Sequence, residues 1–181
     1  DDDLLKLWED HLSGQQSVGI VAIDEDNKCV WGAIDVDEYQ LDLKDLAIKI
    51  AKQELPLVLC RSKSGGAHIY MFLSEPVAAS MVQRKLRQIA AAIGYGQVEI
   101  FPKQTKLLLD RGDRGSTLNM PYFGGENSTR YAYGKEGQAL TPEEFLNYCS
   151  EIELKPSTLE RLEASPLNET MEWLDQAPPC I

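Results

Sequence analysis

"KCVWGAIDVD", residues 28–37, is a run that calls for burial and turns acidic only at its end. In an extended chain Val30, Gly32, Ile34 and Val36 share one face, while Trp31, Ala33, Asp35 and Asp37 share the other. The two carboxylates then point the same way from the end of a rigid strand, about 7 Å apart at their Cβ atoms. Like charges so placed raise each other's pKa unless a cation sits between them. Hard divalent ions such as Mg²⁺ or Mn²⁺ take oxygen ligands in that arrangement, and two ions bridged in this way clamp the attacking and leaving oxygens of a phosphoryl transfer. Two solvated aspartates where a strand enters a loop would be spelled the same way.

Outward from this run, "SVGIVAID" (17–24) is a second β-rich stretch, and the turn composition "EDNK" between them predicts a hairpin. "LLKLWEDHL" (4–12) has helical spacing and stops at Gly14. "LDLKDLAIKIAKQEL" (41–55) carries Leu43, Leu46, Ala47, Ile50 and Ala51 on one stripe behind an Asp42 N-cap. "LPLVLC" (55–60) and "AHIYMFL" (67–73) are strands flanking the loop "RSKSGG". "VAASMVQRKLRQIAAAI" (77–93) is a helix, and "QVEIF" (97–101) a short strand that Pro102 ends. After the loop "DRGDRGS", "TLNMPYF" (117–123) and "TRYAYG" (129–134) read as short strands. "TPEEFLNYCSEI" (141–152) opens with a Thr141–Glu144 capping box and Pro142 in the first turn. One or two short helices follow from 156. The order predicts an α+β fold, with a core over 1–150 and a helical tail over 151–181 that can lead into further domains.

Length and composition suit one domain, or two small packed units, with a real core: 181 residues, 43% apolar and 26% charged. No apolar stretch approaches the roughly 18 residues a membrane helix needs, and no signal peptide is visible. A chain beginning at Asp1 reads as a fragment or processed form. Four scattered cysteines (29, 60, 149 and 180) and two histidines argue for reduced thiols in a cytoplasmic protein and against a structural zinc site. The sequons at Asn127 and Asn168 then carry no meaning. The net charge of -11 speaks against a polyanion partner until it is divided along the chain. Residues 1–51 hold 4 basic against 13 acidic side chains, and residues 116–181 hold 4 against 11. Residues 52–115 hold 10 against 5, a basic segment beside a carboxylate cluster, as a polyanion handled through metal ions requires.

Two further stretches bear on the chemistry. In "CRSKSGGAHIY" (60–70), Arg61 and Lys63 join two hydroxyls, Ser62 and Ser64, and a glycine pair. Consecutive N–H groups in such a turn can form an anion nest. His68, at the start of the next strand with Tyr70 and Phe72 on its face, is well placed to touch phosphates. The spacing is not that of a Walker A loop. In "VEIFPKQ" (98–104), Glu99 lies on the strand face opposite Val98 and Ile100, where it can complete a carboxylate triad with Asp35 and Asp37; Lys103 and Gln104 can reach a triphosphate.

"DVD", "SGGAH", "VEIFPKQ" and "LNMPYF", in that order, resemble the motifs of the archaeo-eukaryotic primase superfamily, which includes primase-polymerases. The strings "HLSG" (11–14) and "RSKSGGAH" (61–68) are similar to those of primase-polymerases from phages, plasmids and related mobile elements. The resemblance spans roughly residues 10–135. It implies an N-terminal αβ unit packed on an RNA-recognition-motif-like αβ unit, with the active site in the cleft between them. It also implies Mg²⁺ or Mn²⁺ on Asp35, Asp37 and Glu99, and nucleotide phosphates held by His68, Arg61, Lys63 and Ser64, with Lys103 and Asn119 as further nucleotide contacts. The activity implied is template-dependent nucleotidyl transfer, as a DNA primase or DNA polymerase. Its substrates would be NTP or dNTP, a single-stranded DNA template and a primer, in replication of a phage or mobile element and with a fused or associated helicase. The chain departs from the family in three places. The late acid is Glu99 where Asp is common, so Asp110 stands as a rival; Gly66 replaces the serine two before the histidine; and no zinc module accompanies this fragment.

Two other readings share some of these residues. A DxD glycosyltransferase would hold Mn²⁺ on a nucleotide sugar but leaves "RSKSGGAH" and the basic segment unused. An RNA-recognition-like module would grip single strands without chemistry, yet its aromatic signature is missing. Tyr122 and Phe123 can serve as template contacts or as core.

Overall fold

The computed structural model describes residues 2–164. Two elements, α1 (Asp2–Leu12) and β1 (Gly19–Val21), precede the central run. That run is β2 (Lys28–Val36), α2 (Leu43–Lys52), β3 (Val58–Arg61), β4 (Ala67–Ala78), α3 (Ala79–Ala92) and β5 (Glu99–Phe101). Two short strands follow, β6 (Thr117–Asn119) and β7 (Ala132–Tyr133), then the helices α4 (Pro142–Ile152) and α5 (Pro156–Arg161). The five-stranded sheet has the order β5-β2-β4-β3-β7, every neighbouring pair antiparallel. Strand β4 separates β2 from β3, and β2 separates β4 from β5. This is the doubly split β-α-β-β-α-β arrangement expected of an RNA-recognition-motif-like unit.

The period-two pattern of β2 decides which layer goes where. Ile34 and Val36, both fully buried, join Leu59, Ile69 and Met71 in a core completed by Leu46 and Ile50 of α2 and Val82, Leu86 and Ile89 of α3. Gly32 faces the same way, and a Cβ there would stand 2.7 Å from both Leu86 Cδ1 and Val82 Cγ1, so α3 lies too close to β2 for any side chain. On the opposite face Trp31, Ala33, Val58, Tyr70 and Phe101 form a second core with Leu118, Tyr122 and Phe145. The cover on that side is the two-stranded β1–β6 sheet, the 120–131 segment and α4.

Three local expectations are corrected. Residues 24–28 do turn tightly, with the Asp24 N–H donating to the Lys28 carbonyl, yet β1 and β2 do not form a hairpin. Strand β1 pairs instead with β6, Gly19 opposite Asn119, while β2 pairs with β4 and, at Ala33–Asp35, with β5. Val30 does not share the buried face of Gly32 and Ile34. The β2–β4 ladder is interrupted between Cys29 and Trp31, near Pro76, which has no N–H to give, and Val30 turns out to water. Only Thr117–Asn119 and Ala132–Tyr133 of the late stretches pair as strands, because Pro121 and the positive φ of Tyr122 (59°) turn the chain away.

The caps form as read. Asp42 accepts from the Asp45 N–H at 2.9 Å, and Thr141 and Glu144 close a reciprocal box. Cys29, Cys60 and Cys149 are free thiols. The expected tail begins as α5; its part from 165 onward, with Asn168 and Cys180, lies outside the described residues. Among the described residues no helix is long and apolar enough to cross a membrane.

The "HLSG" stretch is a clasp between layers. His11 is fully buried; its Nδ1 accepts from the Val18 N–H at 3.1 Å, so Nε2 carries the proton and donates to the Pro121 carbonyl at 2.8 Å. Its own carbonyl accepts from the Gly14 and Gly124 N–H groups. His11→Ala would strand two buried backbone groups, and urea unfolding should show a loss of about 2–4 kcal/mol. An unchanged midpoint would show that His11 is not a clasp.

Candidate active site

The sheet register builds the site. Asp35 on β2 stands directly opposite His68 on β4 and Glu99 on β5, and His68 stands opposite Cys60 on β3. Glu99, Asp35, His68 and Cys60 therefore form one row across the face that carries the second core. Asp37 follows just past the end of β2. Its Oδ1 accepts from Ser64 Oγ at 3.1 Å, and Ser64 is tied to Ser62 Oγ at 3.0 Å. The β3–β4 loop reaches back over the strand end only because Gly66 has no side chain: a Cβ there would overlap the Val36 carbonyl oxygen.

These groups line one cavity of about 480 Å³. Asp35, Asp37 and Glu99 form one side, Ser62, Lys63, Ser64 and His68 another, and Lys103 stands beside Phe101. Strand β6 supplies Thr117, Leu118 and Asn119 as the third wall.

The electrostatics are those of a site short of positive charge. Asp35 is pushed from its ordinary 3.8 up to about 6, first by burial and then by the charges of Asp37 and Glu99, with Lys103 opposing. Its Oδ1 is buried without a hydrogen-bond partner. His68 Nε2 lies 3.4 Å from that oxygen, too far for a good hydrogen bond. Burial also drives His68 down to about 4, with Arg130 pushing the same way and Asp37 and a bond to the Asn119 backbone opposing, so the ring is neutral at pH 7. It does not balance the carboxylates. Tyr70 fixes the ring from behind: its hydroxyl donates to the Asn119 carbonyl at 3.2 Å and lies 3.3 Å from His68 Nδ1. Lys103 is drawn to Glu99, Nζ to Oε2 2.6 Å.

Among the described residues no three His, Cys, Asp or Glu side chains are gathered closely enough to form a complete metal cage. The donor set nonetheless fits a hard divalent cation. An orphaned, desolvated carboxylate oxygen faces two more carboxylates across a polar cavity. Mg²⁺ in particular is held by one or two carboxylates together with water and substrate phosphates, not by an all-protein cage. Asp35 and Asp37 fit that role, with Glu99 alongside.

Of the residues singled out from the sequence, Asp35, Asp37, Glu99, His68, Lys63, Ser64, Lys103 and Asn119 all line this cavity. Arg61 does not: as the last residue of β3 it alternates away from Cys60, and its Nη1 donates to the Thr129 carbonyl at 3.3 Å. Asp110, the rival acid, sits in a 3-10 turn, Leu109–Arg111, outside the cavity wall. Gln104 turns to Ser116, where its amide gives and takes a hydrogen bond. Tyr122 is core, its hydroxyl donating to the Leu140 carbonyl and accepting from the Ala132 N–H, while Phe123 packs edge-on to His11. Sequence reading put Tyr70 on the face of His68 without giving it a role, and missed Phe101, which strand parity with Glu99 could have found. It also missed Thr117 and Leu118, which reach the site only through the β1–β6 pairing.

A buried acid whose folded pKa lies above its unfolded value holds its proton more tightly when folded. Stability from Asp35 therefore falls as pH rises from about 4 to about 6 and stays low above that. His68, depressed to about 4, has the opposite slope over a similar window, so the comparison of variant with wild type isolates the carboxylate. In EDTA at pH 7.5, Asp35→Asn should be more stable than wild type by roughly 1–3 kcal/mol. The gain should vanish near pH 4. Equal melting curves at pH 7.5 would refute the charge-deficit account.

Residues 5–152 match the family model for the archaeo-eukaryotic primase domain of TOTE conflict systems. A comparison with curated proteins found no match. The match covers most of the chain, and with the α+β core and cleft described above it identifies the protein as a member of the archaeo-eukaryotic primase family.

Proposed function

We propose that the protein is a template-dependent nucleotidyltransferase, a primase-polymerase that joins nucleotides from NTP or dNTP along a single-stranded DNA template. The observation that carries this reading is the single cavity in which Asp35, Asp37 and Glu99 face His68 and the Ser62–Ser64 loop. Family membership supports the primase-like chemistry.

The residues divide the work. Asp35, Asp37 and Glu99 would hold Mg²⁺ or Mn²⁺, which when bound activates the attacking hydroxyl and neutralises the triphosphate and leaving pyrophosphate. Ser62, Lys63 and Ser64 meet the phosphates from the β3–β4 loop. His68, neutral and held by Tyr70, lines the cavity without adding charge. Asn119 presents its side chain from β6. No covalent nucleophile is required, and the protein's share is positioning and charge stabilisation. Lys106, Arg111 and Arg114, exposed in the loop between β5 and β6, supply surface charge for a template–primer. Replication of a phage or mobile element in a bacterial cytoplasm, with a helicase as partner, is the setting we propose.

The binding-only alternative meets a physical obstacle. RNA-recognition motifs stack bases on an open sheet face, whereas Trp31, Tyr70 and Phe101 on that face here are buried beneath β6 and α4.

With Mg²⁺ or Mn²⁺, a single-stranded template and labelled nucleotides, with and without a primer, the wild type should extend in a template-directed way. Asp35→Ala and Asp37→Ala should each lower incorporation by at least about 10²-fold while keeping the wild-type circular dichroism spectrum. Retained templated synthesis in either variant would reject the assignment.

A further inference from the structure

Among the described residues, Arg130 is a buried cation that no carboxylate answers. Lys6, Lys49, Lys103 and Lys135, all more exposed, each reach an acid: Asp10, Asp45, Glu99 and Glu151. Arg130 is only 7% exposed, and among the described residues no carboxylate lies within ion-pair distance. One side-chain hydrogen bond is formed, from Nη1 to Ser17 Oγ at 3.0 Å, and the guanidinium carbon stands 4.9 Å from the Phe123 ring centre. A guanidinium carries five N–H donors. With Nη1 given to Ser17, the rest of the fork is not sealed from solvent and is left for water or a ligand, and a chain with 29 acids has no shortage of candidate counter-ions.

The sheet register shows which way Arg130 faces. Ala132 on β7 stands opposite Cys60, and both belong to the core beneath the catalytic face. The Arg61 N–H donates to the Tyr131 carbonyl at 2.9 Å, carrying the pairing one residue further. Arg130 lies in the bend just before β7, and that pairing, continued, sets it level with Ser62, which lines the cavity; Arg130 itself is not a lining residue, but its charge is felt at His68 and Tyr70 on the cavity face. The backbone there is held from both sides: the Arg130 N–H donates to Ser128 Oγ, and its carbonyl accepts from the Tyr122 N–H.

We propose that Arg130 is a phosphate-binding residue of the nucleotide site, taking the polyphosphate tail beside the Ser62–Ser64 loop, opposite the carboxylates. It fills the place that Arg61 was expected to hold. A forked donor fixed by a ring and a hydroxyl suits bidentate contact with phosphate oxygens, where lysine is a poor substitute. The assignment rests on the nucleotidyl-transfer reading and adds a residue to it.

The test is direct binding, measured calorimetrically with Mg²⁺ present, of a nucleoside triphosphate, inorganic tripolyphosphate and a single-stranded oligonucleotide. Arg130→Gln should weaken the first two by about 10- to 100-fold and leave the oligonucleotide unchanged. Arg130→Lys, which keeps the charge and the ring contact, should show a smaller loss of the same kind, and it decides the matter if the glutamine variant does not fold. Folded variants that bind tripolyphosphate as the wild type does would overturn the proposal, as would a loss confined to the oligonucleotide. If the wild type itself binds no nucleoside triphosphate, the nucleotidyl-transfer reading fails; if it binds and the variants bind equally, only the role of Arg130 fails.

Discussion

A carboxylate held on the inner face of a strand that is buried on both sides constrains everything around it. Asp35 stands in the middle of the sheet, with β4 on one side and β5 on the other, so the cavity on that face is its outlet to water. An apolar lid over it would leave a desolvated charge, which costs far more than a core contact returns. The second layer therefore covers Ala33, Tyr70 and Phe101, one row back, and gives way at the row of Asp35, His68 and Glu99 to polar walls from β6 and the β3–β4 loop. The cavity follows from where the cover must end. Its stored unfavourable charge, visible in the raised Asp35, is the kind of local conflict that a fold otherwise consistent at every level keeps for function.

The two histidines show how burial alone fails to identify chemistry. Both are nearly inaccessible. His11 spends its two ring nitrogens on backbone groups of Val18 and Pro121 and so belongs to the scaffold. His68 has one nitrogen beside the Tyr70 hydroxyl and leaves the other facing a carboxylate oxygen that has no donor. A ring with an unspent nitrogen at a cavity wall can take part in binding; a ring with none cannot. The "HLSG" and "SGGAH" strings accordingly do different work, the first joining layers and the second lining the site.

How much of this was legible depended on the range of the signal. Period-two alternation is local, so the pairing of Asp35 with Glu99 across the sheet and the seat of His68 could be argued from short strings. The caps of α2 and α4 are local too, and they form as read. Partner choice is not local. The turn at 24–28 is real, yet β1 finds its ladder almost a hundred residues away, on β6. Arg61 illustrates a subtler loss. Its composition, next to serines and glycines, matched a phosphate loop, but one more residue of strand before the loop set its parity away from the cavity.

The charge pattern of the whole chain takes on meaning at this site. Acids from β2 and β5 meet the hydroxyls and Lys63 of the β3–β4 loop in this cavity. Gly66, without a side chain, lets the loop come down on the end of β2, so that Ser64 hydrogen-bonds Asp37 and the two groups adjoin. A substrate with an anionic tail and a reacting end that tolerates carboxylates only in the company of cations has one favourable orientation in such a field. The chain as a whole carries a net charge of -11, which weakens any polyanion held by long-range charge alone. Specific engagement must therefore come from groups fixed by the sheet register, and those are the groups that the two central strands, β2 and β4, hold in place.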